Sequence, residues 1–263
     1  MASFMRIVRV AVLSGVVIAS LTSAQSQEMK SSWPNAKNQA SVGQLYFYSI
    51  KDQPAFEQGY RRHLSWHASQ KDQLVWYAWT IESGLRRGKF VDGTFGASFT
   101  GLDARPNLSE DGADFVRNVS ARVTALDTET WTLWREPSTG TPLEDRKPEA
   151  MLDVFLLEVL PAEAQMFEGE ITLLAKTKLP ATRLSWYRLA RGGGVTRYML
   201  LLSRSNWADV ESAGPTLSEM MTRAYSQTPT KVNEALRYVR SYRNETWEYE
   251  PRLALIPGHS LEP

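Results

Sequence analysis

Two histidines four residues apart are the side chains of this sequence best suited to chemistry. His63 and His67 lie in the segment Arg62-His63-Leu64-Ser65-Trp66-His67. At about 100° per residue, both fall within the apolar stripe of a helix that also carries Phe56. The i, i+4 spacing allows two imidazoles to bind one metal ion, but no glutamate follows the first histidine as it does in an HExxH helix.

Three roles stay open for this histidine pair. The histidines are buried and hydrogen-bonded to strand backbone or tyrosine hydroxyls, or they are polar groups of a ligand pocket, or they hold a metal. A metal would need a third ligand from Asp92 or another distant carboxylate, so we expect no metal. Leaving a buried polar group unpaired costs about 1–3 kcal/mol. Each histidine must therefore have a partner in the protein or in a ligand, and both are candidate catalytic residues.

Asp92 is the third candidate catalytic residue. It lies in the predicted strand that includes Val91-Asp92-Gly93-Thr94-Phe95-Gly96. A strand aspartate that faces the helix with the histidines can orient an imidazole, as in acid–base sites. Two other interpretations are a carboxylate that faces solvent and one that caps the basic hairpin Arg86-Arg87-Gly88-Lys89.

Aromatic side chains and one arginine are the candidate ligand-binding residues. Aromatic residues make up 11% of the chain, which contains nine tryptophans. Such residues pack into cores, and they also line ligand cavities. We expect four residues to contact a ligand: Tyr48, Tyr60, Trp79 and Arg86.

Composition excludes several classes of function. The chain has no cysteine, which excludes thiol catalysis and cysteine metal sites. Gly192-Gly193-Gly194 lacks the GxGxxG or GxxxxGK context of a phosphate loop, and no nucleophile elbow is present. The net charge of +1 gives no basic footprint for nucleic acid. We therefore expect a small-molecule ligand and no nucleic acid, and the sequence leaves the oligomeric state open.

The N-terminus resembles a secretory signal. Arg6 and Arg9 precede the short apolar run Val10–Leu21, and the small residues Thr22-Ser23-Ala24 precede Gln25. This pattern predicts a signal peptide over residues 1–24 and a flexible segment over residues 25–42. The protein is then exported, to the periplasm or outside the cell, with no membrane contact after cleavage. A retained membrane anchor is the alternative.

Three sequence matches at nearly constant offset indicate an internal duplication. Trp76-Tyr77 returns as Trp186-Tyr187, and Glu129-Thr130-Trp131 returns as Glu245-Thr246-Trp247. The apolar run around Phe47 returns around Phe155. Repeats at a fixed period are a signature of architecture. We expect Trp76 to superpose on Trp186 and Trp131 on Trp247.

Each copy is predicted to run strand, helix, strand, strand, helix, strand. The copies are residues 43–136 and 151–256, with a linker over residues 137–150 and a tail over residues 257–263. This is the order of the ferredoxin-like, split βαβ unit. We predict an α+β protein of two tandem units with antiparallel sheets, packed as a pseudo-dimeric α/β barrel.

This element order and the internal matches resemble the dimeric α/β-barrel superfamily in its fused, tandem form. The superfamily includes haem-handling enzymes, monooxygenases and many members of no known activity. The resemblance implies two sheets face to face, with ligand clefts between a sheet and its helices. In haem-binding members the proximal histidine usually comes from the C-terminal half, which here offers only His259. We therefore expect no cofactor.

The sequence predicts an exported protein that binds a small hydrophobic or aromatic molecule in an aromatic-rich cleft of the first unit. Cofactor-free catalysis in that cleft stays open. The alternative is a non-catalytic structural or protein-interaction module. A deep pocket with His63 and His67 at its floor favours ligand binding, and dry packing around both favours the alternative.

Overall fold

The computed structural model describes residues 41–176, 183–214 and 216–262. Within these ranges the chain forms eight strands and seven α-helices. The strands are β1 Val42–Ile50, β2 Tyr77–Ile81, β3 Phe90–Ala97, β4 Val123–Thr139, β5 Met151–Val159, β6 Leu184–Arg191, β7 Thr196–Arg204 and β8 Val239–Tyr249. The helices are α1 Gln53–Ser69, α2 Phe99–Asp103, α3 Leu108–Asn118, α4 Ala164–Lys176, α5 Trp207–Ala213, α6 Leu217–Ala224 and α7 Pro229–Leu236.

The eight strands close into one antiparallel barrel in the order β1-β3-β2-β8-β5-β7-β6-β4. The first half of the chain contributes β4-β1-β3-β2, and the second half contributes β8-β5-β7-β6, so the same strand order occurs twice. The halves join where β2 pairs with β8 and where β4 pairs with β6. We call these two junctions the seams of the barrel. The prediction of two tandem ferredoxin-like units packed as a barrel is confirmed.

The strand register confirms one of the two predicted tryptophan equivalences. Trp131 of β4 lies opposite Gly43 of β1, and Trp247 of β8 lies opposite Leu152 of β5. β1 is the first strand of the first half, and β5 is the first strand of the second half. Trp131 and Trp247 therefore occupy corresponding positions.

The second equivalence is wrong by two residues. At the seams, Trp79 lies opposite Tyr249 and Tyr187 lies opposite Leu133. Leu133 follows Trp131 by two residues, and Tyr249 follows Trp247 by two residues, so Leu133 corresponds to Tyr249. Their seam partners therefore also correspond, which makes Trp79 the counterpart of Tyr187. Trp76 lies just before β2, and Trp186 lies within β6. Trp76 is therefore two positions before the residue of β2 that corresponds to Trp186.

Alternating side chains of the strands divide the core into an interior and two outer layers. In β2, Tyr77, Trp79 and Ile81 pack inside the barrel with side chains from both halves. The intervening Ala78 packs outside with Phe56 of α1. This alternation is the period of two that a strand requires. The second half has its own outer layer, in which α4, α6 and α7 contribute buried apolar residues.

The connection between the halves is shorter and better packed than a linker over residues 137–150 would be. Strand β4 continues to Thr139, three residues into the predicted linker. Leu143 is fully buried and packs with the barrel interior, and Glu144 is also fully buried. Burial of Leu143 fixes the path of the chain between the halves.

The predicted signal peptide and the segment up to residue 40 lie outside the described residues. Within the described ranges, no helix has the length and apolar character that crossing a membrane requires.

Candidate functional site

A cleft of about 270 Å³ lies on the first half of the chain, between the outer face of the sheet and helices α1 and α3. The residues that line it are Tyr46, Tyr48, Tyr60, His63, Leu64, His67, Trp76, Asp92, Arg105, Leu108, Asp111, Gly112, Phe115 and Leu126. The cleft therefore gathers both histidines, Asp92 and two of the four predicted ligand-binding residues.

Helix α1 carries the histidines because of how it begins and what it buries. Asp52 caps its first turn by accepting the Ala55 N–H at 3.1 Å, as N-cap aspartates do. Its buried residues recur at spacings of three and four along one face. His63 and His67 belong to that face, so the prediction that both lie in the apolar stripe of the helix is confirmed.

A glycine brings α1 and α3 close together. A Cβ atom added at Gly59 would lie 2.0 Å from the Asn118 carbonyl oxygen. This contact places α3 beside the histidines, and α3 carries Asp111 and Asp114.

Each histidine is held by a carboxylate at its Nδ1 atom. His63 Nδ1 lies 2.9 Å from Asp114 Oδ2, and His67 Nδ1 lies 2.8 Å from Asp72 Oδ2. An ionised carboxylate only accepts hydrogen bonds, so Nδ1 carries the hydrogen and Nε2 keeps its lone pair in the neutral ring. Of the three roles left open by the sequence, the one with strand backbone or tyrosine hydroxyls as partners does not hold, because acidic side chains bind both Nδ1 atoms.

Three acceptor atoms converge at the opposite edge of the rings. The two Nε2 atoms are 3.3 Å apart, and Asp111 Oδ1 lies 3.5 Å from each of them. Arg105 holds the other oxygen, Asp111 Oδ2, at 2.9 Å. Acceptors this close repel one another unless a proton or a cation lies between them, so the cluster can take up either.

Asp111 is one of the site residues that sequence reasoning missed, together with Asp72, Asp114 and Arg105. It follows His67 by 44 residues, and no spacing rule connects an aspartate on one helix with histidines on another. The available signal was the pair Asp111 and Asp114, which are three apart in a predicted helix and so share one face.

Burial shifts the pKa values of the groups around the histidines. Burial lowers the pKa of His63, and this outweighs the opposing effect of its hydrogen bond to Asp114. For Asp72, burial alone would raise the pKa, but hydrogen bonds from His67, Leu74 N–H and Trp76 together lower it. The lowered pKa favours the ionised form of Asp72 beside the His67 ring.

Asp92 lines the cleft but does not orient a histidine. Its Oδ2 atom accepts hydrogen bonds from the hydroxyls of Tyr60 at 2.6 Å and Tyr48 at 3.0 Å. Its side chain is 3% exposed, so it is neither solvent-facing nor a cap for the basic hairpin. Burial raises the pKa of Asp92 to about 7, although the two hydrogen bonds oppose this. Asp92 Oδ1 has no hydrogen-bond partner among the described residues.

The other two predicted ligand-binding residues lie elsewhere. Trp79 is fully buried in the barrel interior, because odd-numbered residues of β2 point inward. Arg86 donates two hydrogen bonds of 2.7 Å to Glu245 on β8, so its charge is already paired. His259, the histidine of the second half, is exposed near the C-terminus.

No family model matches this chain, and no curated protein matches its sequence. Solved structures do match the fold. A monooxygenase-like protein from Lactobacillus acidophilus aligns over 86% of this chain and 100% of its own, with a TM-score of 0.55 and 12% identity. An anthrone oxidase-like protein aligns over 85% of this chain and 96% of its own, with a TM-score of 0.52 and 11% identity.

A variant of chlorite dismutase from Candidatus Nitrospira defluvii aligns over 82% of this chain and 94% of its own, with a TM-score of 0.51 and 8% identity. The chain has the dimeric α/β-barrel fold. Each alignment spans far more than one half of the chain, so both units take part in the likeness. At these identities the likeness concerns the fold, and the resemblance expected from the element order is confirmed.

Proposed function

We propose that this protein binds a small hydrophobic or aromatic molecule in the cleft of its first unit. The observation that carries the proposal is the cleft itself, a cavity of about 270 Å³ with both histidines in its wall. Ligand sites for drug-sized molecules usually measure about 300–1,000 Å³. A cavity slightly smaller than this range suits a compound of one or two rings.

The lining also indicates which polar groups the ligand carries. Tyr46, Trp76 and Phe115 offer aromatic surface, against which a ring packs in offset or edge-on contact. Asp92 Oδ1 is a buried oxygen that lacks a hydrogen-bond partner within the described part of the chain, and a buried acceptor without a partner is costly. A hydroxyl or amine on the ring would satisfy it, so phenols and related compounds are the class that fits best.

An enzymatic role in the same cleft is supported by the fold neighbours, which include the monooxygenase-like and anthrone oxidase-like proteins. A non-catalytic interaction module would need dry packing around His63 and His67. Both residues instead line the cleft, which favours a ligand.

Native mass spectrometry of the purified protein tests this proposal, with a panel of phenols and aromatic acids added in turn. Gly112 lines the cleft, and a Cβ atom there meets none of the residues that the structure describes within 4 Å. Gly112→Phe should therefore fill the cleft without disturbing the core, and it should abolish ligand binding. Gly169→Phe is the matched control, since Gly169 is an exposed helical glycine of the second unit with equally open space. Absence of any bound compound in the wild type, or equal binding by both variants, would overturn the proposal.

Export is part of the same proposal and rests on Arg6, Arg9 and the apolar run Val10–Leu21. The N-terminal sequence of the protein recovered from its source should start at or near Gln25. A protein that retains Met1 in the cytoplasmic fraction would contradict export and leave the cleft proposal untouched.

A further inference from the structure

The atoms around the histidine pair form an arrangement that proteins use to hold divalent metal ions. We propose that His63 Nε2, His67 Nε2 and Asp111 Oδ1 bind one first-row divalent metal ion, such as Zn²⁺, at the wall of the cleft. This inference deepens the proposed function, because the ion would be part of the ligand site.

The first argument is the distance between the three donor atoms. Their separations are 3.3, 3.5 and 3.5 Å. Zinc bonds nitrogen and carboxylate oxygen at about 2.0–2.2 Å, and a tetrahedral site then places its ligands about 3.3–3.6 Å apart. The triangle is thus already of the size that one tetrahedral ion requires, and the fourth position is left for a ligand.

The second argument is the support behind the donors. Histidines that bind metals almost always donate their other ring N–H to a carboxylate, a backbone carbonyl or a water, which fixes the ring and its tautomer. Both histidines do so here, His63 with Asp114 and His67 with Asp72. Asp72 is fixed in turn by the indole N–H of Trp76 at 3.1 Å. The two rings therefore keep bare Nε2 atoms 3.3 Å apart, each 3.5 Å from Asp111 Oδ1.

The third argument is electrostatic. With Nδ1 protonated on both rings, two lone pairs and one carboxylate oxygen face each other within 3.5 Å. Arg105 lies against Asp111 Oδ2, so it orients this carboxylate without placing a hydrogen between the three acceptors. A divalent cation replaces their mutual repulsion with attraction.

The ligand class follows from the donor set. Two imidazoles and one carboxylate leave a divalent ion with net positive charge and open coordination positions. All three donors line the cleft, so an ion there would contact its contents. Oxygen donors with negative charge, such as phenolates, catecholates and aromatic carboxylates, are the substrates that such an ion would bind.

Metal titration of the purified protein, without a polyhistidine tag and after treatment with a chelator, tests this site. We expect one equivalent of Zn²⁺ by calorimetry and visible d–d absorption with Co²⁺. His63→Ala and Asp111→Asn should each weaken binding by at least about 100-fold, since even supporting residues of metal sites contribute 10–100-fold. Asp111→Asn preserves side-chain size, and its thermal melt shows whether the fold is intact if His63→Ala fails to fold.

Two control variants complete the metal experiment. Glu110 is exposed on the same helix as Asp111, and His259 is exposed near the C-terminus. Glu110→Gln and His259→Ala should bind Zn²⁺ as the wild type does. Absence of stoichiometric binding in the wild type, or unchanged binding by folded Asp111→Asn, would overturn the proposal.

Separate titrations of the wild type with Zn²⁺ and with the panel of phenols and aromatic acids distinguish this inference from the proposed function. A wild type that binds Zn²⁺ but no phenol or aromatic acid would support the metal site and count against the ligand class. A wild type that binds such compounds without any metal would support the cleft and refute the metal site.

Discussion

Glu129 and Glu245 occupy corresponding positions at the two seams of the barrel, and each is paired with an arginine of the opposite unit. Glu245 on β8 receives two hydrogen bonds of 2.7 Å from Arg86, in the hairpin between β2 and β3. Glu129 on β4 lies 2.9 Å from Arg197, at the start of β7. The two ion pairs therefore close the barrel in the same way on both sides.

The tryptophan of the repeated Glu-Thr-Trp motif takes part in the same contact. The Arg86 guanidinium lies 5.9 Å from the Trp247 ring, and that of Arg197 lies 5.8 Å from the Trp131 ring. The motif thus repeats because each seam needs a buried anion and an aromatic ring to receive an arginine from the other unit.

Removing Arg86 should strongly destabilise the protein. Glu245 is fully buried, and breaking a buried ion pair from one side costs roughly 3–5 kcal/mol because a charge is left unpaired. We expect Arg86→Met to show this loss in urea unfolding, and the double variant Arg86→Met, Glu245→Gln to regain part of it. Lys89→Met is the control from the same hairpin, because its partner Asp127 is 68% exposed and such pairs contribute about 0–1 kcal/mol. Equal losses for Arg86→Met and Lys89→Met would contradict this role of the seam.

Gly59→Ala should destabilise the protein and loosen the site, whereas Gly169→Ala should not. Alanine is favoured over glycine in a helix by about 1 kcal/mol, and Gly169 has open space around it. At Gly59 the new Cβ atom would instead meet the Asn118 carbonyl oxygen at 2.0 Å, so α3 must move away from α1. We expect a loss on the order of 1–3 kcal/mol in unfolding free energy, together with weaker Zn²⁺ binding. A Gly59→Ala variant as stable as Gly169→Ala would show that the helices are not in close contact.

Trp79→Ala should cost roughly 3–5 kcal/mol of unfolding free energy, as truncation of a large buried aromatic does. Trp79 has no exposed surface and packs in the barrel interior against Phe95, Trp247 and Tyr249. Trp207 is 60% exposed, so Trp207→Ala should change stability by about 0.5 kcal/mol or less. If chemical denaturation showed similar losses of unfolding free energy for Trp79→Ala and Trp207→Ala, Trp79 would not be a core residue.

The sequence was sufficient for the fold because its periodicities are local. Helical phase places His63 and His67 on the buried face of α1. The order of elements, found twice, then leads to the barrel. These inferences depend only on neighbouring residues, which is why the structure confirms them.

The strand register and the role of Asp111 in the site could not be predicted in this way. The offset between Trp76 and Trp186 depends on the lengths of the loops before each strand, so identical residue pairs occupy different positions. Asp111 reaches the histidines only because Gly59 admits α3, and Arg86 is bound by a strand 159 positions away. Contacts between distant segments have no local pattern, and the placement of Trp79 and Arg86 was wrong for that reason.

Asp92 should make the protein less stable as the pH rises from about 4 to about 7. Its pKa is about 7 in the folded protein against an ordinary value of 3.8, so the folded state holds a proton that the unfolded state releases in this window. Stability is therefore greatest at low pH with respect to this group and falls until Asp92 ionises in the folded state.

Asp92→Asn mimics the protonated form of Asp92 and removes this loss of stability. Between pH 5 and pH 8, the unfolding free energy of Asp92→Asn should gain on that of the wild type by on the order of 3 kcal/mol, since each of the two pH units between pH 5 and the pKa of about 7 corresponds to about 1.4 kcal/mol. Asp103→Asn, at an exposed position, should show no such gain. If the wild type and Asp92→Asn keep a constant difference across this pH range, Asp92 is ionised in the folded protein throughout it, and burial does not control its proton.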